Sequence, residues 1–210
     1  MFNKNFFYSL IGSLVLLAAS LVINVYAAAY AISQMSSPVT DLVLSNTRVY
    51  NTDWFFIYGA VIFWIIAIGL LVKYPRYMIF TIKTVSLFVL IRSLFITLTH
   101  IAPFQPYLII EPYDLLADIL GNKLYSIFFI NGGLFFSGHT GLPFLFALIF
   151  WQKKLLRYLF LIFSITFGIV VLLGHLHYSI DVFAAFFITY SIYKLAKVLF
   201  KKDYPITVSL

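Results

Sequence analysis

Residues 54–73 read WFFIYGAVIFWIIAIGLLVK, nineteen uncharged residues closed by Lys73. A helix needs about 20 apolar residues to cross the roughly 30 Å hydrocarbon core of a bilayer, so this stretch is long enough to span one. Comparable runs lie on both sides of it. Six spans are expected, at approximately 6–31, 54–73, 77–103, 138–152, 155–174 and 178–200. The implied fold class is all-α: a six-transmembrane-helix bundle forming a single integral membrane domain over residues 1–210. Composition agrees, because 63% of the 210 residues are hydrophobic and only 10% are charged. A soluble domain carries about 25% charged residues, so this chain cannot cover a water-facing surface. Gln152-Lys153-Lys154 is all that separates the fourth and fifth spans, with Arg157 just beyond, which predicts a tight helical hairpin.

The net charge of +7 would suggest nucleic acid in a soluble protein. Here the basic residues sit in short loops between spans and read as topology signals, with no nucleic-acid partner expected. Lys4, Lys73, Arg76, Lys153, Lys154, Arg157, Lys194, Lys197, Lys201 and Lys202 fall on one side, against Arg48 and Lys123 on the other. The positive-inside rule then puts both termini in the cytoplasm. Lys83 and Arg92 lie within the third span, and Lys83, nearer the cytoplasmic end, is expected to snorkel. The outer face collects Asp41, Asp53, Glu111, Asp114, Asp118 and Asp181, leaving only Asp203 inside. There is no cysteine, which excludes disulfides and thiolate chemistry. Lys4, the apolar run after it and Ala27-Ala28-Ala29-Tyr30-Ala31 have the look of a secretory signal. The run exceeds a signal core of about 7–15 residues, so a retained span is expected.

All four histidines fall near the outer face. His100 ends the third span, His139 opens the fourth, and His175 and His177 sit at the turn before the sixth. The 104–137 loop is long for a small bundle, and Ile109–Leu120 and Leu124–Ile130 are apolar enough to lie on the membrane.

Three groups among these outer residues could do chemistry. Phe136-Ser137-Gly138-His139-Thr140 opens the fourth span. Gly138 lets backbone approach a ligand closely. A helix starting here points free N–H groups and its positive dipole end at an anion. With the hydroxyls of Ser137 and Thr140 and the acid His139, the segment makes a phosphate cradle. The plainer alternative is an N-capping Ser beside an interfacial His. In His175-Leu176-His177-Tyr178-Ser179-Ile180-Asp181, residues 177 and 181 share a helix face. A carboxylate bonded to one ring nitrogen fixes the tautomer and raises the basicity of the other, which prepares a nucleophile or base. The alternative is a polar pair that caps the helix. Arg92 lies about 12 Å below His100 along its helix and needs an anionic partner at that depth. His139, His175, His177 and Asp181 could also form a zinc-like set, but His-x-His on a turn is weak evidence, and neither metal nor cofactor is expected.

Taken together these residues resemble the type 2 phosphatidic acid phosphatase superfamily, and within it the sphingomyelin synthase branch. Ser137-Gly138-His139 and His177…Asp181 match the superfamily's two histidine motifs. Phe136 to Thr140 and His175 to Val182 are closer to the synthases, as are Arg92-Ser93 before Pro103 and the first-loop Pro38-x-x-Asp41. The phosphatase branch carries an Arg six residues before its second His, where this chain has Val171, and its Lys-x6-Arg-Pro motif is missing. Both departures favour the synthase-like branch over simple phosphomonoester hydrolysis.

The resemblance implies a lipid phosphotransferase working through a phospho-histidine on the non-cytoplasmic face. His177, oriented by Asp181, would attack the phosphorus of a phospholipid and His139 would protonate the leaving diacylglycerol oxygen. Arg92, Ser137, Gly138, Thr140, His175 and Tyr178 are the substrate-binding candidates. The acceptor would be a lipid hydroxyl or water, so a lipid phosphatase or a phospholipase-C-like hydrolase on the same site is the second reading. A proton- or ion-coupled transporter is the third. It would spread polar residues through the bilayer depth, whereas these cluster at one face.

Overall fold

The computed structural model describes residues 4–106 and 134–204. Within them lie seven α-helices: α1 (Lys4–Ser33), α2 (Leu42–Ser45), α3 (Asp53–Lys73), α4 (Met78–Thr99), α5 (Gly138–Ile149), α6 (Lys154–Leu173) and α7 (Ser179–Leu199). A 3-10 turn at Pro75–Tyr77 leads directly into α4. No strand forms among the described residues, and a single isolated bridge joins Ile101 to Leu134. The apolar segments Ile109–Leu120 and Leu124–Ile130, with Glu111, Asp114, Asp118 and Lys123, lie outside the described residues.

Among the described residues five helices are long and apolar enough to cross a membrane: α1, α3, α4 with its leading turn, α6 and α7. The segment expected to span at 138–152 is different. Its helix, α5, has 12 residues and rises about 18 Å, well short of a roughly 30 Å hydrocarbon core. It stops because the chain reverses at once. Phe150 is fully buried and its carbonyl accepts from Lys153 N at 2.8 Å, closing the tight hairpin into α6. The third span also stops early, at Thr99 rather than 103. His100 takes a left-handed conformation (φ 44°) and its ring meets Tyr30 edge-on at 5.4 Å. A non-glycine residue is uncommon there, and the turn redirects the chain out of the helix axis.

α1 packs along α4, while α5 packs against both α6 and α7. The core between α3, α5 and α6 is built from aromatic edges. Phe63 meets Phe146, Phe160 and Phe167 at 5.4, 5.9 and 6.5 Å in edge-to-face arrangements. Such pairs are favoured by ring electrostatics and fill volume that aliphatic chains would leave open. Gly141 lets α5 sit deep between its neighbours. A Cβ there would fall 2.8 Å from Thr189 Oγ1 on α7 and 2.9 Å from the Phe88 ring on α4. Lys83, expected to snorkel, instead pairs with Asp203 at 2.6 Å and ties α4 to the chain beyond α7.

Candidate functional site

The site is assembled where the start of α5, the start of α7 and the C-terminal third of α4 meet. Ser137 caps α5 with extended backbone, and its hydroxyl accepts from Thr140 N at 3.3 Å. Its own amide donates to the carbonyl of Asp181 at 3.0 Å. That one bond ties the Ser137-Gly138-His139 segment to the His177…Asp181 segment, so the two sequence motifs form a single structural unit. Asp181 lies in the first turn of α7. Its Oδ2 accepts from His177 Nδ1 and from the Tyr178 amide, both at 3.1 Å. Because a carboxylate can only accept, Nδ1 carries the hydrogen and the Nε2 lone pair of a neutral His177 is left available. His177 and Asp181 are 7% and 2% exposed, which keeps water from competing for their bond.

His139 stands opposite. Its ring lies at 4.1 Å from Phe56 of α3 and meets the Phe167 edge at 5.9 Å, which fixes its plane. It is within electrostatic reach of both His177 and Arg92. Arg92 in turn feels the charge of Asp181 and lies across Gly138. A Cβ at Gly138 would sit 3.4 Å from its Nε and 3.7 Å from its Cδ. Glycine here allows the guanidinium to lie over the start of α5. The structure therefore brings together Arg92, Ser137, Gly138, His139, His177 and Asp181.

The other expected substrate contacts have different placements. The Thr140 hydroxyl is buried toward α6, where a Cβ on Gly168 would be 3.5 Å from it, and the Thr140 carbonyl accepts from Ser164 at 2.7 Å. His175 donates from Nδ1 to the Pro106 carbonyl at 2.8 Å and meets the Phe104 edge at 5.6 Å. It anchors the 104–106 segment from a left-handed backbone position (φ 52°). The Tyr178 hydroxyl accepts from Val39 N at 3.1 Å and donates to the Ala102 carbonyl at 2.8 Å. His175 and Tyr178 hold the 102–106 segment and Val39 in place, and Thr140 engages α6 through its backbone carbonyl, while the buried Thr140 hydroxyl and His175 Nε2 have no hydrogen-bond partner among the described residues. Among the described residues no group of three or more His, Cys, Asp or Glu side chains is arranged to hold a metal ion.

Two contributors had only a faint sequence signal or none. Asp41 caps the short α2 through Oδ1, which accepts from Val43 N and Leu44 N at 2.9 and 3.0 Å. Its Oδ2 accepts from the Ser179 amide at 2.7 Å and the Ser179 hydroxyl at 2.8 Å. Burial alone would raise its carboxyl, but the hydrogen bonds from Leu44, Ser179 and Val43 outweigh it and hold it below the ordinary carboxylate range. Asp41 thus clamps the segment between α1 and α3 onto the turn that carries His177 and Asp181. The Pro38-x-x-Asp41 spacing was the only hint of it. Phe56, the ring against His139, sits in an ordinary apolar run and had no signal at all.

Residues 132–198 match the family model described as PAP2 superfamily C-terminal. The match supports the PAP2 superfamily and covers about a third of the chain, including Ser137 to His139 and His177 to Asp181. No curated protein and no solved structure matches the chain. That superfamily comprises phosphatases and phosphotransferases that act on lipids, and five of the described helices are long and apolar enough for a membrane setting.

Proposed function

We propose that this protein is a lipid phosphotransferase, similar to sphingomyelin synthase, that moves the phosphoryl headgroup of a phospholipid to a lipid hydroxyl through a phospho-histidine. The observation that carries the reading is the convergence of a carboxylate-oriented His177, a second histidine at 139 and the Arg92 guanidinium on one end of the bundle. In the first step His177 Nε2 attacks phosphorus, a P–N bond forms, and the bond from phosphorus to the diacylglycerol oxygen breaks. His139, protonated once the anionic phosphate of the substrate lies beside it, gives its proton to that oxygen, so diacylglycerol leaves neutral. In the second step neutral His139 takes the proton of the acceptor hydroxyl, whose oxygen attacks phosphorus while the P–N bond breaks. Arg92 and the amides at the start of α5 offset the charge on the equatorial oxygens, the main protein contribution to phosphoryl transfer.

Val171 supports the transferase over the phosphatase. At the position where the phosphatase branch carries Arg, this side chain is fully buried in a cluster with Phe56, Ile57 and Val182. A charge there would lose its hydration without a counter-ion. The orientation in this reading has six spans, with α5 crossing together with its adjoining turns, both termini cytoplasmic and the site on the non-cytoplasmic face.

The test is to incubate the purified protein in sealed vesicles with headgroup- and chain-labelled phospholipids, with and without ceramide or diacylglycerol. Headgroup label is expected in the lipid acceptor, from lipid in the leaflet opposite a protease-protected Leu210 tag. Label released into water in the presence of every acceptor would replace the transferase with a hydrolase. No turnover from a folded sample would remove the lipid-enzyme reading.

A further inference from the structure

At the opposite end of the bundle, the shortness of α5 creates a second feature. Its helix ends at Ile149 while α4 and α7 continue alongside, and the space left beyond it is a cavity of about 380 Å³. Tyr77, Gln152, Tyr193, Lys194, Lys197 and Tyr204 are among the residues that line it. Lys194 and Lys197 lie about 20 and 24 Å along α7 from Asp181, so this recess is separate from the histidine site.

Its chemistry is one-sided. Among the described residues no Asp or Glu lines it. The neighbouring carboxylate, Asp203, is held by Lys83 at 2.6 Å. The two lysines do not simply reach outward. Lys197 Nζ lies 4.6 Å from the Tyr204 ring centre and 5.7 Å from that of Tyr193, and Lys194 Nζ lies 5.3 Å from Tyr190. Rings hold these cations by cation–π attraction at the wall of the recess. The hydroxyls of Tyr193 and Tyr204 are 3.1 Å apart, so one donates to the other and the second hydrogen remains for a ligand. Two ammonium groups, a phenol donor and the Gln152 amide make a donor-rich wall without an opposing carboxylate. Trp151 and Tyr190, both exposed at its rim, are residue types that sit at headgroup depth.

We propose that this recess binds a phosphate-bearing anion on the membrane face opposite the histidine site, delivered either as the headgroup of an anionic lipid or as free phosphate. Basic pockets between membrane helices are suited to anionic headgroups, and the ammonium groups here supply charge-assisted bonds to phosphate oxygens. The proposal is independent of the reaction assigned to the histidine site.

The experiment is to titrate the full-length purified protein with dioctanoyl phosphatidic acid, and separately with inorganic phosphate, following binding by native mass spectrometry. Wild type is compared with the double variant Lys194→Gln/Lys197→Gln and with Tyr204→Phe. The double variant is expected to lose one bound anion, with affinity at that site at least about tenfold weaker. Tyr204→Phe keeps the ring and should weaken binding by about threefold. Loss with phosphatidic acid alone identifies a lipid ligand, and loss with inorganic phosphate as well identifies the free anion. Unchanged binding in both folded variants would overturn the proposal and leave the lysines as topology signals only. A thermal unfolding midpoint close to wild type serves as the folding control for each variant.

Discussion

His177→Ala is expected to reduce headgroup transfer by about 10⁴-fold or more, to the level seen without enzyme, while expression and the thermal midpoint stay close to wild type. The activity loss follows from removing the only group that the proposed mechanism bonds to phosphorus. The stability expectation follows from local geometry. Asp181 Oδ2 keeps its bond from the Tyr178 amide at 3.1 Å, and the Asp181 carbonyl keeps its bond from Ser137 N at 3.0 Å. The start of α7 therefore does not depend on the imidazole. Steady-state transfer measured beside thermal unfolding checks both halves. A folded variant with wild-type turnover would remove His177 from the nucleophile role.

Asp181→Asn should lower kcat by about 10³-fold with KM little changed. An amide of the same shape still accepts from the Tyr178 amide through its oxygen, so the helix start persists. The same oxygen also accepts from His177 Nδ1–H, so both contacts can persist, but the charge-assisted bond to the ring becomes a weaker neutral one that no longer raises the basicity of Nε2. The neutral amide also withdraws the negative charge that Arg92 feels and that steadies a positive His177. Asp181→Ala should add a stability loss of about 1 kcal/mol, because the cap at Tyr178 N is gone. Kinetics and thermal unfolding of the two variants separate orientation from capping. Near-wild-type kcat in Asp181→Asn would show that the carboxylate does not prepare His177.

Much of this architecture is readable from the chain. Long charge-poor runs reveal α1, α3, α4, α6 and α7 because a bilayer core demands about 20 apolar residues whatever the side chains are. α5 escapes this logic. Apolar residues continue through Phe150 and Trp151, but the buried Phe150 turn ends the helix at Ile149, a tertiary effect with no periodicity signature. That His139, His177, Asp181 and Arg92 would converge was also legible, since ionisable residues near membrane depth are costly and their spacing is informative. Sequence separation hid how the two histidine motifs join. The Ser137 N to Asp181 carbonyl bond is made by backbone, which any residue could supply. Thr140, His175 and Tyr178 are polar neighbours of the histidines, which made them substrate-contact candidates, and the fold gives each a structural bond as well. The bonds of His175 to Pro106 and of Tyr178 to Ala102 are side-chain bonds that residue spacing could not reveal, whereas Thr140 meets α6 through its backbone carbonyl. Asp41 shows the reverse, a loop acid far away in sequence that seats the turn bearing His177 through Ser179.

The most direct test of the central claim is to quench the protein during turnover of a ³²P-labelled phospholipid and to map the label on the polypeptide. The account predicts acid-labile, base-stable phosphoryl label on His177, present in wild type and absent from His177→Ala. A protein that turns over substrate without carrying label at His177 would contradict it.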